Sequence, residues 1–457
     1  MKISEDLYPG IIATDSKATQ NEGLKREIGI SGVFINVINN TIGSGIFLLP
    51  AIIASVLGNA SILAYIVCGL LFLLVMLCYA EISSQVTVSG GAYAYIEKAF
   101  GPYAGFLSNT LFWFGTGVFV TAALVNGVAD ILSVAFPILK IPVYRALLFA
   151  VLIGCAAYIN IRGAKQGMKL IKVITLVKLV PIFLLIIVGA FRSELSNLRW
   201  EHLPALKSVG EVSLVLFFAF AGGETALNVS GEMKNPQRTG PLGLLLGILA
   251  TITIFCSIQL VAQGVLGTDL VNHKEAPLAA VADKLVGRLG HSLIIAGSVI
   301  AILGIISSLP LVFSRVMFAG AKNALLPGYL AKIHPRFSTP ANAIITFSII
   351  AFAVAISGGF KQLAVIVSAT LLLLYTGVVL ATIKFRLAQQ ASKPGTFKIP
   401  GGLTIPIIAL LALGWFILQL ELKEIIATSI FIGVLSLIYF LKVIQKKRSV
   451  NINRQTA

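Results

Sequence analysis

Long uncharged stretches of apolar residues are the feature that most limits what this chain can fold into. No charged residue occurs between Glu27 and Glu81, and a turn signal at 58–61 divides that stretch into two segments of membrane-spanning length. Hydrophobic residues make up 57% of the chain and charged residues 12%, too few to cover a soluble protein of 457 residues. A β-barrel would alternate apolar and polar residues. The sequence therefore predicts an all-α polytopic membrane protein.

Twelve stretches are long enough to cross a membrane as helices of about 20 residues. Two amphipathic stretches, "GGAYAYIEKAF" and "APLAAVADKLVGRLG", lie between predicted crossings. Residues 1–27 and 445–457 are the predicted terminal tails. The predicted crossings, numbered as spans 1 to 12, are residues 28–57, 60–85, 100–136, 143–161, 168–191, 209–232, 239–267, 290–324, 340–359, 361–384, 402–420 and 424–444.

Lysine and arginine are divided unequally between the two sides of this predicted topology. Of the 35 basic residues, 24 lie on the side of the two termini, 10 lie on the other side, and Lys178 lies within a span. Positively charged loops stay in the cytoplasm, so both termini are predicted to be cytoplasmic, in a plasma or inner membrane. The net charge of +17 then needs no nucleic acid partner, because these residues face the headgroups of the lipid bilayer.

Two of the predicted spans carry paired glycines near their middle. Span 1 contains "NNTIGSGIF", span 6 contains "FFAFAGGETALNVSGE", and the two spans run in opposite directions. Glycine weakens a helix interior by about 1 kcal/mol relative to alanine, and unwound backbone is tolerated at membrane depth where it lines a cavity or binds a ligand. This spacing predicts inverted five-helix repeats, residues 28–191 and 209–384, with helices 1 and 6 broken and helices 11 and 12 at 402–444. Close helix packing at the glycines is the alternative.

The motifs around these glycines resemble those of the amino acid–polyamine–organocation (APC) superfamily. The similarity covers most of residues 28–385 and implies the leucine-transporter fold, with spans 11 and 12 appended to the inverted repeats. It also implies an amino acid carrier that works by alternating access. The motifs, in chain order, are "GSGIFLLP", "GGAYAYIEKAFGP", "FFAFAGGETA", "GEMKNPQRTGP" and "SRVMFAGAKNALLPGYLAKIHPRFSTP".

The resemblance further implies a site for the backbone of an amino acid. The α-carboxylate would bind in span 1, at Gly43, Ser44 and Gly45. The α-ammonium would bind the carbonyl oxygens of Thr41, Phe218 and Ala221. Helix physics agrees with this assignment, because a helix N-terminus favours an anion and free carbonyls favour a cation.

Lys178 is an intramembrane charge and therefore a candidate functional residue. It lies nine residues beyond Lys169, about 14 Å along a helix, so it cannot easily reach the cytoplasmic surface. Burying it without a partner would cost several kcal/mol. It resembles the span-5 lysine of sodium-independent members of the superfamily, whose ammonium takes the place of a sodium ion beside span 1. A structural tether between spans 1 and 5 is the alternative.

Glu224, Glu81 and Glu232 are glutamates within or near predicted spans that could have a role in transport. Glu224 follows the span 6 break, where members of the superfamily often have glutamate, and it either binds the unwound backbone or titrates during transport. The proton is thus a candidate coupling ion. Glu81 and Glu232 lie near cytoplasmic helix ends, where they are either solvated or paired with the basic loops.

The predicted pocket favours an amino acid with a neutral side chain. Lys178 and Glu224 cancel when both are charged, and Val120 and Leu309 occupy positions where arginine exchangers of the superfamily carry Asn and an aromatic residue. A site without hydrogen-bond partners discriminates against a guanidinium group. Phe218 and Phe220 either wall the pocket or simply pack. An exchanger of cationic amino acids or polyamines remains the alternative.

Other function classes fit the sequence less well. The four histidines lie in or beside loops, and no metal-binding or catalytic motif occurs within a span, so neither an enzyme nor a metal or other cofactor is predicted. A channel would not need two inverted helix breaks. The sequence predicts a secondary active amino acid transporter that is independent of sodium, with symport or antiport and the oligomeric state left open.

Overall fold

The computed structural model describes residues 28–86, 91–162, 167–200, 202–322, 326–388 and 396–455. This part of the chain is helical, apart from an isolated β-bridge between Ile28 and Met233. The predicted tail 1–27 lies outside the described residues. The α-helices in chain order are α1 Ile30–Thr41, α2 Ser44–Leu57, α3 Ile62–Gln85, α4 Ala92–Phe100, α5 Pro102–Thr110, α6 Phe119–Ala135, α7 Pro142–Arg162, α8 Gly167–Arg192, α9 Leu206–Phe220, α10 Pro236–Leu266, α11 Pro277–Val286, α12 Arg288–Lys322, α13 Ala341–Ala355, α14 Phe360–Leu387, α15 Thr404–Ile417 and α16 Leu422–Gln455.

Proline and glycine determine where several of these helices begin and end. Pro102, Pro236 and Pro277 occupy the first turns of α5, α10 and α11, where the missing N–H group leaves no helix hydrogen bond unmade. Gly58 and Gly267 directly follow α2 and α10 with φ angles of +54° and +58°. Glycine adopts this left-handed conformation without a steric penalty, so local sequence ends both helices.

Within the described residues, eight helical segments are long and apolar enough to cross a membrane. Helices α13 and α15 are apolar but shorter. The prediction of an all-helical membrane protein with several crossings is confirmed at this level. The eight segments are Ser44–Gln85, Pro102–Ala135, Pro142–Arg162, Leu206–Leu227, Pro236–Asn272, Arg288–Lys322, Phe360–Leu387 and Leu422–Leu441.

The helices pack as two groups with two helices between them. In the first group α10 packs along α1 and α3, and α9 packs on α2 and α3. In the second group α12 packs against α6, α7 and α13. Helix α8 contacts both α10 and α12, and α14 contacts α3, α6 and α9. Helices α8 and α14 therefore join the groups, and an apolar core runs through both.

Between α5 and α6 the chain forms a π-helical segment, Leu111–Val118. Such widened turns are rare and often occur at functional sites. Two glycines within it allow neighbouring helices to approach closely. A Cβ on Gly115 would collide with Thr370 of α14, and a Cβ on Gly117 would lie 2.5 Å from the ring of Phe313 of α12. The segment is therefore packed between the two helices that border it.

The two amphipathic stretches between predicted crossings form the short helices α4 and α11. Helix α4 buries Tyr95 and Ile96, and α11 buries Leu278 and Val281. Helix α11 packs on α12 of the second group, on α8 and on α2 of the first group, so it contacts both groups. Both stretches thus bury one face against the membrane-spanning helices.

Candidate functional site

The helix of predicted span 1 is interrupted between α1 and α2. Ile42 has a ψ angle of 89°, and Gly43 has φ and ψ angles of −118° and −145°, so neither residue continues the helix. Helix α1 therefore ends in free carbonyl groups, and α2 begins with N–H groups that have no intrahelical partner. Gly43 is partly exposed, whereas Thr41 and Ser44 are buried. The break is thus partly exposed at Gly43 and buried on both sides of it.

Lys178 of α8 binds the carbonyl end of this break. Its ammonium donates to the carbonyl oxygen of Asn39 at 2.6 Å and to that of Ile42 at 3.0 Å. The side chain is only 1% exposed. The positive charge meets the negative end of the helix dipole of α1, a favourable arrangement. The two carbonyls are the ligands that allow this lysine to be buried.

The second break follows α9 and is longer. Ala221 is extended with a ψ angle of 155°, Gly222 has a φ angle of +108°, and the chain continues as a 3₁₀ segment, Gly223–Glu232. A Cβ on Gly222 would lie 2.7 Å from the carbonyl oxygen of Asn40 in α1. Glycine is therefore required here both by the positive φ angle and by the close approach of α1.

Glu224 and Thr225 bind the freed backbone of this second break. The Glu224 carboxylate accepts a hydrogen bond from the N–H of Gly222 at 3.0 Å. The Thr225 hydroxyl donates to the carbonyl oxygen of Gly222. Glu224 is 6% exposed, and the hydroxyl of Tyr375 lies near it without hydrogen-bond geometry. A carboxylate at the N-terminal end of a helical segment suits its positive dipole end.

Two close approaches bring the breaks together. A Cβ on Gly45 would lie 2.8 Å from the Cα of Ala219, so α2 and α9 touch at this glycine. The Asn40 side-chain amide of α1 donates to the Thr225 hydroxyl at 2.9 Å. The structure therefore places the span 1 residues and the span 6 residues of the predicted site next to each other.

The four helix ends at the breaks are held differently. Lys178 binds the C-terminal end of α1, and Glu224 binds the N-terminal end of the 3₁₀ segment. Among the described residues, no side chain caps the N-terminal end of α2, and the Ser44 hydroxyl is buried without a partner. Helix α9 passes at Phe220 into extended Ala221, so no helix continues from its last carbonyls. Two ends thus remain without a charged side chain: the N-terminal end of α2, which offers N–H donors, and the C-terminal end of α9, which offers carbonyl acceptors.

Phe218 and Phe220 have different surroundings. Phe218 packs edge-to-face on Phe360, the first residue of α14, with ring centroids 5.6 Å apart. Phe220 is fully buried, with ring centroids 5.8 Å from Phe72 and 4.9 Å from Phe255. Phe220 therefore belongs to an aromatic cluster of α3, α9 and α10, whereas Phe218 connects the second break to α14.

Val120 and Leu309 lie partly buried on α6 and α12. Helix α12 adjoins the first break, because a Cβ on Gly43 would lie 3.3 Å from the Ile305 side chain, one turn before Leu309. Helix α6 adjoins α2 at Gly127, about two turns beyond Val120. Both residues are thus on helices that border the first break, and both present apolar side chains.

Residues near the breaks that were not predicted from the sequence include Asn40, Tyr79, Thr225 and Tyr375. The rings of Tyr79 and Tyr375 pack edge-to-face with centroids 5.5 Å apart, and their hydroxyls are buried without a partner. A tyrosine within an apolar helix gives no spacing signal that separates it from core aromatics. Asn40 belongs to the polar triplet "NNT" just before the glycines, and that triplet was a usable signal.

Glu81 forms a buried ion pair at the end of α3. Its carboxylate accepts two hydrogen bonds from the Arg386 guanidinium of α14, the one from Nε at 2.6 Å, and one from the N–H of Ile399 at 2.9 Å. Its side chain is 2% exposed. Of the two alternatives for Glu81, pairing is confirmed, although its partner lies on a helix and not on a loop. The side chain of Glu232 lies outside the described residues.

Comparisons with known proteins identify the family. The amino acid permease family matches residues 28–452. The methylthioribose transporter of Bacillus subtilis is 28% identical over 94% of this chain and 96% of its own length. The serine/threonine exchanger SteT of Bacillus subtilis is 30% identical over 71% of this chain and 75% of its own. The arginine/agmatine antiporter of Chlamydia pneumoniae is 26% identical over 95% and 92%. The chain therefore belongs to the amino acid permease family of the APC superfamily, and it is a transporter and not an enzyme.

Proposed function

We propose that this protein is a secondary active carrier that binds an amino acid with a neutral side chain between its two helix breaks. The observation that carries the proposal is the pairing of helix ends. Lys178 and Glu224 already bind two of the four ends. The remaining ends are one donor end, at the start of α2, and one acceptor end, at the close of α9. A zwitterion supplies one anion and one cation for these two ends.

The carboxylate of the substrate is assigned to α2. The N–H groups at Ser44 and Gly45 are the first of that helix, and the unpartnered Ser44 hydroxyl supplies a further donor. Gly43 is the partly exposed residue through which a ligand would approach them. Because Gly45 has no Cβ, α9 lies directly against this end of α2.

The ammonium of the substrate is assigned to carbonyl oxygens of Thr41, Phe218 and Ala221. Phe218 and Ala221 belong to the last turn of α9 and its extension. Thr41 is the last residue of α1, and the two bonds from Lys178 go to the carbonyls of Asn39 and Ile42 and not to that of Thr41. Carbonyls in the last turn of a helix lack intrahelical partners and carry the negative end of its dipole. Ala221 is partly exposed, which is consistent with access for a ligand.

The proposed architecture has twelve crossings in the leucine-transporter fold. The repeats would be residues 28–191 and 209–384, each with a broken first helix, followed by helices 11 and 12 at 402–444. Packing in two groups joined by α8 and α14, the fifth helices of the two repeats, supports this assignment. Both termini, including the tails 1–27 and 445–457, are assigned to the cytoplasmic side of the cell membrane.

The proposed coupling uses Lys178 in place of a sodium ion. Its ammonium lies among carbonyls at the end of α1, which is the arrangement that a bound cation would adopt. Transport would then require no sodium, and a proton exchanged at Lys178 or Glu224 would drive accumulation. Lys178 and Glu224 carry opposite charges, so when both are charged the pocket keeps no net charge to attract a charged substrate side chain.

Two observations favour a neutral substrate. Val120 and Leu309 are apolar, and the relative SteT is a serine/threonine exchanger. Transport assays in liposomes test this choice. Labelled amino acids would be screened first, and each would then be challenged by unlabelled serine, leucine, arginine and putrescine. Neutral amino acids should compete at least tenfold better than arginine, about 1.4 kcal/mol.

The second candidate is an exchanger of cationic amino acids or polyamines. The similarity to an arginine/agmatine antiporter favours it. Equal or stronger competition by arginine or putrescine in the same assay would establish this candidate and reject the first. Competition by methylthioribose alone would reject both, because a relative carries that name.

A further inference from the structure

The second half of the chain carries basic residues without acidic neighbours in sequence. No aspartate or glutamate occurs between Asp283 and Glu421, although eleven lysines and arginines do. Four of the eleven surround the segment that joins α12 to α13: Arg315, Lys322, Lys332 and Arg336. Positive charge in this segment therefore cannot be neutralised by a nearby residue of the same segment.

Residues 334–339 of the joining segment are held by hydrogen bonds. The N–H of His334 donates to the carbonyl oxygen of Thr339 at 2.8 Å, and the N–H of Ser338 donates to that of His334 at 2.9 Å. The Thr339 hydroxyl donates at 2.7 Å to the carbonyl oxygen of Ile161, at the end of α7. Leu330 is buried at 3% exposure. Residues 326–340 of the segment thus form a fixed loop seated between α7, α12 and α13.

This loop exposes cations and apolar side chains together. Lys332 and Arg336 are exposed, and the described residues provide no ion pair for either. Ile333, between them, is 54% exposed, and Tyr329 is 48% exposed. The guanidinium of Arg162 lies 4.5 Å from the Tyr158 ring at the adjoining end of α7. We define the basic loop surface as Arg162, Tyr329, Lys332, Ile333 and Arg336.

We propose that the basic loop surface binds the phosphate groups of anionic phospholipids in the adjoining leaflet. Exposed isoleucine and tyrosine suit the boundary between headgroups and acyl chains, while flexible lysine and arginine side chains reach the phosphates. Each basic residue near an anionic leaflet increases attraction roughly fivefold. The inference rests on the proposed cytoplasmic placement of this loop, where anionic lipids are enriched. It does not depend on which substrate is carried.

The test measures lipid-dependent stability of the purified protein in detergent. Phosphatidylglycerol, phosphatidylcholine and inorganic phosphate would each be titrated while the unfolding temperature is recorded. Phosphatidylglycerol should raise the unfolding temperature, and the double variant Lys332→Gln/Arg336→Gln should lose more than half of that rise. The matched control is Lys98→Gln, an exposed lysine of α4 that directly follows Glu97. This control should keep the full rise.

Several results would overturn the proposal. A double variant that responds to phosphatidylglycerol like the wild type would leave these charges with a role in topology only. Equal stabilisation by inorganic phosphate would identify a free anion as the ligand. Equal stabilisation by phosphatidylcholine would show that charge is not recognised.

If the double variant unfolds early without lipid, Ile333→Ser, which keeps both charges, replaces it and should weaken the phosphatidylglycerol response selectively. A wild-type response from Ile333→Ser would also reject the proposal.

Discussion

The two helix breaks are alike in sequence but are held in opposite ways. The first consists of Ile42 and Gly43, and its freed carbonyls are bound by a cation from another helix, Lys178 of α8. The second continues as a 3₁₀ segment of 10 residues, and its freed N–H is bound by a carboxylate from the same segment, Glu224. The geometry of the first break thus depends on a distant helix, whereas that of the second depends on adjacent sequence.

This difference makes the second break a fixed element and couples the shape of the first break to the position of α8. A break bound by its own side chain keeps its shape when other helices move. The first break keeps its shape only while α8 stays close to α1, because two hydrogen bonds from Lys178 link them. In a carrier that alternates between two openings, we infer that the first break responds to movement of α8 and that the second serves as its reference.

The largest expected effect comes from closing the space between α2 and α9. A Cβ on Gly45 would lie 2.8 Å from the backbone Cα of Ala219, which cannot turn aside. Gly45→Ala should therefore reduce substrate binding a hundredfold or more. Gly43→Ala should stay within about fivefold, since its Cβ would meet only the tip of the Ile305 side chain at 3.3 Å. Equilibrium binding to monodisperse protein measures both.

Equal losses in the two alanine variants would contradict the packing argument. The bulkier Gly43→Leu and Gly45→Leu should both abolish binding while leaving membrane insertion intact, because a leucine also blocks approach to the backbone. Wild-type binding by these leucine variants would remove the span 1 site from the proposal.

The next effect tests the cation at the first break. Lys178→Met removes the ammonium that donates to the carbonyls of Asn39 and Ile42, and at the buried Ile42 an unsatisfied carbonyl costs about 1–3 kcal/mol. Uptake should fall more than tenfold, and wild-type uptake should be unchanged when choline replaces sodium. An inward proton gradient should stimulate the wild type but not residual uptake by the variant. An absolute sodium requirement would reject the lysine-for-sodium assignment, and indifference to the gradient would leave Lys178 as a tether.

A smaller effect is expected at the second break, because another acceptor can replace the Glu224 carboxylate that binds its backbone. Glu224→Gln keeps an oxygen that can accept from the N–H of Gly222, so binding should stay within about threefold. Glu224→Ala removes that acceptor and should weaken binding about tenfold. Uptake into liposomes measured with and without a proton gradient separates this structural role from titration. If Glu224→Gln weakens binding as much as Glu224→Ala does, the charge of Glu224 is required, and its hydrogen bond to the Gly222 N–H does not suffice to explain its role.

The helical class and the positions of both breaks were predictable because they follow from local sequence. A long uncharged stretch leaves a membrane helix as its stable form, and paired glycines mark where a helix weakens. The assignment of Lys178 to span 1 came from resemblance, and the structure places its ammonium on the carbonyls of Asn39 and Ile42. Local sequence also places Glu224 two residues from the backbone N–H that it binds.

Contacts between distant helices were not predictable in the same way. The pairing of Glu81 with Arg386 joins α3 to α14 across most of the sequence, and nothing adjacent to either residue indicates its partner. The separate surroundings of Phe218 and Phe220 depend on which neighbours α9 acquires, Phe360 in one case and Phe72 with Phe255 in the other. Periodicity identifies an apolar face but does not identify what covers it.

The smallest expected effect concerns the hydrogen bond that joins the two breaks directly. The Asn40 amide donates to the Thr225 hydroxyl at 2.9 Å and also to the Asn36 side chain at 2.9 Å. One such bond contributes about 1 kcal/mol, so Asn40→Ala and Thr225→Val should each slow transport two- to fivefold. If the bond is the shared cause, the double variant should be no slower than the slower single variant, because coupled residues are non-additive. The control Asn36→Ala removes another partner of Asn40 without reaching the second break and should transport at nearly the wild-type rate. Independent, multiplying losses in the double variant would show that the two breaks move separately and that Lys178 alone positions α1.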